Sequence, residues 1–202
     1  MRIGYLECFA GISGDMLLGA IVDAGVSTEL LQQTASALGI GAELHFHSVD
    51  RSGIRSAKVD VRVDGKLAET ADHHHHDHAH DHSHDHHEHH PSHDPGHDSS
   101  HEHSHEHGHS PEHSHGRNWK QIRELIDHTP LGQDAKALAL RAFELLAKAE
   151  AMIHGVPVDE VHFHEVGGVD AIADIVCGAA GLCSLSVDRW YASPINVGSG
   201  FV

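Results

Sequence analysis

The chain has 202 residues, a formal net charge of −17 with neutral histidines, and 27 histidines against 13 lysines and arginines. Because the basic residues are few and do not cluster, the composition argues against a nucleic-acid partner at neutral pH. The three cysteines form neither a CxxC pair nor a disulfide framework, and no apolar run is long enough to span a membrane. We therefore expect a cytoplasmic protein without a membrane segment.

The first part of the chain predicts two short helices between strands. Apolar residues in RIGYLECF indicate a short buried strand, which ends at a glycine-rich turn. The helix that follows takes Ser13 or Asp15 as its cap, and a second helix begins after Ser27 and stops at Gly39. The period then changes to two, so AELHFHSVDR and SAKVDVRVDG predict a pair of antiparallel strands.

A histidine-rich tract between residues 71 and 117 holds 21 of the 27 histidines, mixed with Asp, Glu, Ser and Gly. A segment with almost no apolar side chains cannot offset an ordering cost of roughly 1–2 kcal/mol per residue, so we expect a disordered linker. His-x-His units can gather several imidazole nitrogens around Zn, Ni or Cu. We predict a metal-binding tract, against the alternative of a solvated spacer. The ligands selected within it are His73, His74, His75, His76, His78, His80, His82 and His84.

Three further helices are predicted beyond the tract. Asn118 caps the first, NWKQIRELIDH, and the third, VDAIADIVCGAAGLCSL, is apolar nearly all round and therefore buried. The long middle helix, QDAKALALRAFELLAKAEAMIHG, should turn one apolar stripe to the core. That stripe comprises Leu138, Ala142, Leu145, Leu146, Ala149 and Ile153. A final strand and loop follow in VDRWYASPINVGSGFV.

These elements predict an α/β (α+β) fold, with one small mixed sheet covered by helices and interrupted by a disordered His-rich insert. The strand carrying Tyr5, the hairpin at residues 42–63 and the strand near Trp190 should share that sheet. In domain terms we expect an N-terminal α/β block at 1–64, a disordered His-rich metal-binding linker at 65–116, and a helical α/β block at 117–202 that packs against the first.

The turn in ECFAGISGDM is the first candidate site. Gly11 and Gly14 allow a tight turn between strand and helix, and Ser13 and Asp15 stand where backbone N–H groups point out of the helix N-terminus. Such a turn could bind an anion or a phosphate. It lacks the GxGxxG pattern and the lysine of common nucleotide loops, so a well-capped turn without a ligand is an equal alternative.

The block VHFHEVGGVDAIADI is the second candidate site. In an extended segment His162 and His164 point to one face with Glu165 next along, and Asp170 and Asp174 lie four residues apart on the following helix. Two imidazoles and several carboxylates could form the ligand set of a transition metal. The alternative is a polar strand edge with Asp170 as a helix cap.

Another His-x-His pair, His45 and His47, lies on the first strand of the predicted hairpin. An exposed strand face commonly carries polar residues. For this pair taken alone, we favour the exposed polar face over a metal site.

At the same motifs the sequence resembles a known family. YLECFAGISGDMLLGAIVDAGV, VDEVHFHEVGGVDAIADIVCGAAGL and ASPINVGSGFV are similar to the LarC family of nickel insertion proteins, over residues 1 to about 64 and 117–202. A His-rich insert also fits that family. The resemblance implies nickel insertion into pyridinium-3,5-bisthiocarboxylic acid mononucleotide, which completes the nickel-pincer nucleotide cofactor of lactate racemase. It implies a nickel chelatase or cyclometallase of the lyase class that depends on CTP.

The resemblance also implies a longer protein, of which this chain would be the truncated N-terminal, nickel-collecting portion. The CTP site would belong to the C-terminal half, so no residue here is assigned to it. The implied partners are the pincer-nucleotide precursor, the family's C-terminal half and the apo racemase, and we expect a homo-oligomer. The alternative function is a nickel storage or metallochaperone module without catalytic activity.

Overall fold

The computed structural model describes residues 1–68, 116–163 and 166–195, all of which belong to one compact unit of the chain. The elements, in chain order, are β1 (Ile3–Leu6), α1 (Gly14–Asp23), α2 (Thr28–Ala37), β2 (Ala42–Arg51), β3 (Ile54–Val63), β4 (Lys66–Leu67), α3 (Trp119–His128), α4 (Gln133–His154), a 3₁₀ turn (Val158–Glu160), α5 (Val169–Ser184) and β5 (Arg189–Ala192). The predicted mixed α/β class is confirmed. Among these helices, none has the length and apolar character needed to cross a bilayer.

Local capping explains where several helices begin and end. The Ser27 hydroxyl accepts the Leu30 N–H at 3.3 Å at the start of α2. At the start of α3, Asn118 and Gln121 form a reciprocal capping box, each side chain accepting the other residue's backbone N–H. Helix α4 ends at Gly155, whose φ of +65° lies in the left-handed region that favours glycine. These boundaries follow the sequence signals closely.

Strands in the described residues form two sheets. The predicted hairpin is present as antiparallel β2 and β3, and β4 extends it to a three-stranded sheet. Strand β1 pairs in parallel with β5, placing Tyr5 opposite Tyr191, so the predicted sharing of a sheet between these two segments is confirmed. The expectation that the hairpin joins the same sheet is wrong. An alternating pattern identifies the face that a strand buries but not the neighbour that its edge will pair with.

Strand β1 is also less buried than its sequence predicts. Ile3 is 53% exposed and Tyr5 is 59% exposed, and Trp190 and Tyr191 on β5 are exposed as well. A parallel pair of four-residue strands shields little side-chain surface unless another layer covers it. The buried strands of the described residues lie in the hairpin instead, where Val59 is fully buried.

Two apolar clusters make up the core. The first joins α3, α4 and α5 around Phe143 and Phe163, whose rings meet edge to face with centroids 6.1 Å apart. The second joins α1, α2, α5 and the hairpin around Leu18, Leu31 and Val59. Helix α5 contributes to both clusters, so it connects the hairpin region with the α3–α4 region.

The stripe predicted for α4 is right only in part, because Leu146 packs against the first cluster but three other members do not lie in the core. Leu138, Leu145 and Ile153 are exposed. The buried residues of α4 lie four apart and are Ala135, Ala139, Phe143, Ala147 and Ala151. Small alanine side chains let α4 approach α3 and α5 closely, because the distance between packed helices depends on the side chains at the contact. The large apolar residues of α4 therefore do not mark the face of the helix that is buried most deeply.

Candidate functional site

Four carboxylates from three separate parts of the sequence line one small pocket. Asp15 comes from the first turn of α1, and Asp170 and Asp174 come from the start of α5. Strand β3 adds Lys58 and Asp60. The pocket has a volume of about 40 Å³. A water molecule occupies roughly 30 Å³, so the space suits an ion or a water but not a nucleotide.

Close packing of α1 against α5 brings these groups together. Gly14 opens α1 directly against the Asp174 side chain, and a methyl group at position 14 would overlap that carboxylate. Asp170 and Asp174 share one face of α5 because they are four residues apart. The glycine at position 14 is therefore required by the approach of the two helices rather than by backbone conformation.

The glycine-rich turn positions Asp15. Gly11 has a φ of +90°, and its N–H donates to the Cys8 carbonyl at 2.9 Å, which closes the turn. Ser13 is the N-cap residue of α1, as predicted, but its side chain makes no capping hydrogen bond. Its hydroxyl instead donates to the Asp15 carboxylate. Ser13 therefore orients Asp15 and leaves the first-turn amides of α1 without a side-chain cap.

The sequence Ala192-Ser193-Pro194, which begins at the last residue of β5, contacts the same turn. The Cys8 N–H donates to the Ser193 hydroxyl at 2.7 Å, and the Ser193 N–H donates to the Leu6 carbonyl at 2.9 Å. Ser193 is buried. The three sequence motifs that carry the family resemblance thus converge: the turn after β1, the start of α5, and the residues after β5.

The charge of the pocket favours a cation. Four carboxylates line it against one lysine, Lys58, whose Nζ lies 2.9 Å from Asp60 Oδ1. Burial works to raise the pKa of Asp60, but the hydrogen bond and the charge of Lys58 outweigh it and hold that pKa below its ordinary value. Asp60 is therefore ionised at neutral pH. Carboxylate oxygens bind divalent cations in general and do not by themselves select nickel.

Cys177 on α5 is unsuited to act as a soft metal ligand for this pocket. Burial, together with the charge of Asp174, raises the pKa of the Cys177 thiol to about 12. Metals bind the thiolate form, which this thiol does not reach near neutral pH. Cys177 is instead part of the second apolar cluster.

A larger groove adjoins the pocket and shares Asp15 and Lys58 with it. The groove is about 500 Å³, runs between α1 and the hairpin, and is also lined by Met16, Arg51 and Ser56. Its volume falls within the roughly 300–1,000 Å³ typical of small-molecule sites. A separate groove of about 600 Å³, between α2, the α3–α4 connection and α5, shares no lining residue with the pocket.

The predicted site residues are thus brought together only in part. Asp15 and Asp170 share the pocket, and Gly11, Ser13 and Gly14 form the turn beside it. His162 is exposed, forms a backbone bridge with Asn118 and does not line the pocket. Predicted ligands that lie outside the described residues are His164, Glu165, His73, His74, His75, His76, His78, His80, His82 and His84.

Sequence reasoning missed Lys58 and Asp60 as pocket residues. In KVDVRV they are simply the polar members of an alternating strand, and nothing in that pattern distinguishes them from exposed residues. Only the packing of α1 against β3 places them beside Asp15.

Fold and site together define an α/β protein with a carboxylate-lined pocket suited to a cation. A family model described as "Nickel insertion protein" matches residues 4–202. The chain belongs to this family of nickel insertion proteins.

Several relatives carry the name pyridinium-3,5-bisthiocarboxylic acid mononucleotide nickel insertion protein. The relatives from Desulfitobacterium hafniense (strain DSM 10664 / DCB-2) and Geobacillus kaustophilus are each 36% identical to this chain over its whole length. The alignment covers 39% of the first relative and 40% of the second. One from Thermotoga sp. (strain RQ2) is 38% identical, with 42% covered. The chain thus spans about two fifths of the length of these relatives. No solved structure matched it.

Proposed function

We propose that this chain collects nickel and presents it for insertion into pyridinium-3,5-bisthiocarboxylic acid mononucleotide, on the way to the lactate racemase cofactor. The observation that carries the proposal is the meeting of Asp15 with Asp170 and Asp174 at one pocket. Nickel is the cargo in this reaction. Hard, exchangeable oxygen ligands hold it weakly, so its transfer to the thiocarboxylate sulfurs of the precursor is downhill. Its bond to the ring carbon replaces a C–H bond, whose proton leaves to water.

In this proposal the mononucleotide binds beside the pocket rather than in it. The groove between α1 and the hairpin has the required volume and shares Asp15 with the pocket. The turn from Gly11 to Asp15 presents uncapped amides of α1 to the nucleotide phosphate, and Arg51 adds a positive charge in the groove. A nickel ion between the Asp15 carboxylate and the phosphate offsets the repulsion of these two anions.

The reaction itself is proposed to be that of a lyase-class cyclometallase in the cytoplasm. It would require protein residues equivalent to those that the relatives have beyond the matched region, and the CTP site is assigned there rather than to any residue of this chain. The same region and the apo racemase are the proposed protein partners. His162, His164 and Glu165 are proposed to pass nickel from the tract towards the pocket.

Calorimetric titration of the nickel-loaded chain with the precursor tests this assignment. We expect precursor binding that weakens at least tenfold in an Asp170→Asn/Asp174→Asn double variant, because the pocket then no longer holds the ion that faces the nucleotide. Asp134→Asn is the matched control, since Asp134 lies in the first turn of α4 as Asp170 does in α5. Equal precursor affinity in the double variant and the wild type would show that the pocket is not the site.

The proposed relay is tested in the same titration with a His162→Ala/His164→Ala double variant. We expect normal precursor affinity once the protein has been saturated with nickel, but slower loading of the pocket after nickel is added. Loading at the wild-type rate would mean that the two histidines do not carry nickel.

Nickel storage is the second candidate function, favoured by the 21 tract histidines. A store needs no precursor site, so a chain that binds nickel but no precursor would support it. We expect deletion of residues 73–115 to remove most bound Ni(II) with little change in melting temperature, because that segment contains almost no apolar side chains. An unchanged number of bound nickel ions after the deletion would refute a metal-binding role for the tract.

A further inference from the structure

Two histidines and one carboxylate meet across the hairpin. His45 lies directly opposite Asp60 in the β2–β3 register, and His47 is two residues further along β2, on the same face as His45. One potential ligand atom from each of the three residues lies within 4.8 Å of the ligand atoms of the other two. Among the described residues, no other group of three histidine, cysteine or acidic side chains is arranged as closely. The imidazole centroids of His45 and His47 are 5.6 Å apart.

Asp60 is held in place for this arrangement. One carboxylate oxygen, Oδ1, lies 2.9 Å from Lys58 Nζ, and the other, Oδ2, points towards His47 Nδ1 at 3.7 Å. The Asp60 side chain is only 11% exposed. His47 Nδ1 is buried and makes no hydrogen bond to any described residue. A buried ring nitrogen without a hydrogen bond, facing a fixed carboxylate oxygen, provides two of three protein ligands, and water can complete the coordination of a metal ion.

We propose that His45, His47 and Asp60 form a binding site for a divalent first-row transition metal ion, with nickel as its ion in this protein. The choice of nickel rests on the proposed function, whereas the site itself rests on the hairpin geometry. Metal–nitrogen and metal–oxygen bonds are about 2.0–2.2 Å long, so the ligand atoms must draw together by about 1 Å. His45 is exposed and His47 half-buried, so both rings have room to turn.

This site supplies what the carboxylate pocket lacks. Oxygen ligands alone suit Mg²⁺, Ca²⁺ and Mn²⁺, whereas imidazole nitrogens suit nickel, copper and zinc. Asp60 belongs to both places, because it also lines the pocket with Asp15, Asp170 and Asp174. An ion bound at the hairpin can therefore exchange its imidazole ligands for carboxylates while Asp60 stays bound. The hairpin site thus selects the metal ion, and the carboxylate pocket receives it.

The proposal is tested on the full chain by carbethoxylation with diethyl pyrocarbonate, followed by tryptic mass spectrometry. The fragment spanning residues 3–51 contains His45 and His47 and no other histidine, whereas the tract histidines fall in the fragment 67–117. The hairpin site is thus observed separately from the tract. We expect NiCl₂ to protect the 3–51 fragment and MgCl₂ to leave it reactive.

Two carboxamide variants decide whether Asp60 is a ligand. We expect Asp60→Asn to need at least a tenfold higher free Ni(II) concentration for the same protection. Glu43→Gln should behave as wild type, because it removes a carboxylate from β2 that is not one of the three clustered residues. Circular dichroism melting of both variants verifies that the hairpin remains folded.

Reactivity of the 3–51 fragment at saturating Ni(II) would overturn the proposal, and so would equal protection of Asp60→Asn and wild type. These outcomes are independent of precursor binding. If nickel protects the 3–51 fragment but the chain binds no precursor, the hairpin metal site is supported and the proposed function is refuted. If the chain binds precursor but nickel does not protect the fragment, the proposed function is supported and the hairpin site is refuted.

Discussion

The α3–α4 region and the α1–hairpin region use apolar packing to different ends. The first is built around Phe143 and Phe163, both almost fully buried, and none of the four carboxylates that line the small pocket lies on α3 or α4. The second is built around Leu18 and Val59, which are equally buried, but its rim carries the carboxylate pocket and the hairpin histidines. Like charges held close together cost stability, so they are tolerated where an apolar core already holds the elements in place.

Helix α5 links the two regions. Ile172 and Val176 belong to the first cluster, and Ala173 and Cys177 belong to the second. The same helix carries Asp170 and Asp174 at its N-terminal end. The apolar region thus acts on the site indirectly, by fixing the helix that presents two of its carboxylates.

The largest effect is expected from Phe143→Ala. Truncating a fully buried aromatic side chain leaves a cavity and should lower the free energy of unfolding by about 3–5 kcal/mol. Denaturant unfolding monitored by circular dichroism measures this. Phe143→Leu is the control and should cost clearly less because it fills more of the space. A loss below about 1 kcal/mol for the alanine variant would mean that this region is not the stabilising core.

A smaller effect is expected from Gly14→Ala at the junction of the two regions. The added methyl overlaps the Asp174 carboxylate, and overpacking of this kind costs about 1–3 kcal/mol, less up to about 1 kcal/mol gained in helix propensity. Gly178→Ala is the matched control, because it lies within α5 and would meet only a Leu17 methyl at 3.4 Å. That variant should be neutral or stabilising. If Gly14→Ala were equally harmless, α1 and α5 would not be in close contact at the pocket.

The smallest effect on stability is expected from Asp170→Asn. The change removes one of several like charges from the pocket, so the free energy of unfolding should stay within about 0.5 kcal/mol of wild type or rise slightly. The same unfolding measurement tests this. A loss above about 2 kcal/mol would identify Asp170 as a structural residue and remove the contrast between the two regions.

Sequence signals predicted what depends on neighbours in the chain. The caps at Ser27 and Asn118 and the left-handed Gly155 fix helix ends through local hydrogen bonds and backbone sterics. Sequence signals also pointed to Asp15 and Asp170, because acidic residues in a first helical turn that follows glycines can be recognised in one sequence. The contribution of Asp60 could not be predicted, since it depends on which face of β3 packs beside α1.

The same limit explains the His45 and His47 pair. On β2 alone the pair has the pattern of any exposed strand face, and the carboxylate that completes it comes from β3. The predicted apolar stripe of α4 failed in part for a related reason, because the tertiary contact buries four alanines and Phe143 and leaves Leu138 and Leu145 exposed. The periodicity of a sequence shows which residues share one face of a helix or strand. Which neighbouring element contacts that face depends on the tertiary packing.

The parallel pairing of β1 with β5 has a consequence for the order of folding. Cys8 and Ser193, which close the turn before Asp15, are 185 residues apart in sequence. Contacts of such high sequence separation form slowly, because the entropy of closing a long loop must be lost first. During synthesis, helices α1 and α2 and the hairpin can assemble while the rest of the chain is still being translated. The turn acquires its final geometry only after residue 193 has left the ribosome, so a nascent chain cannot present the completed site early.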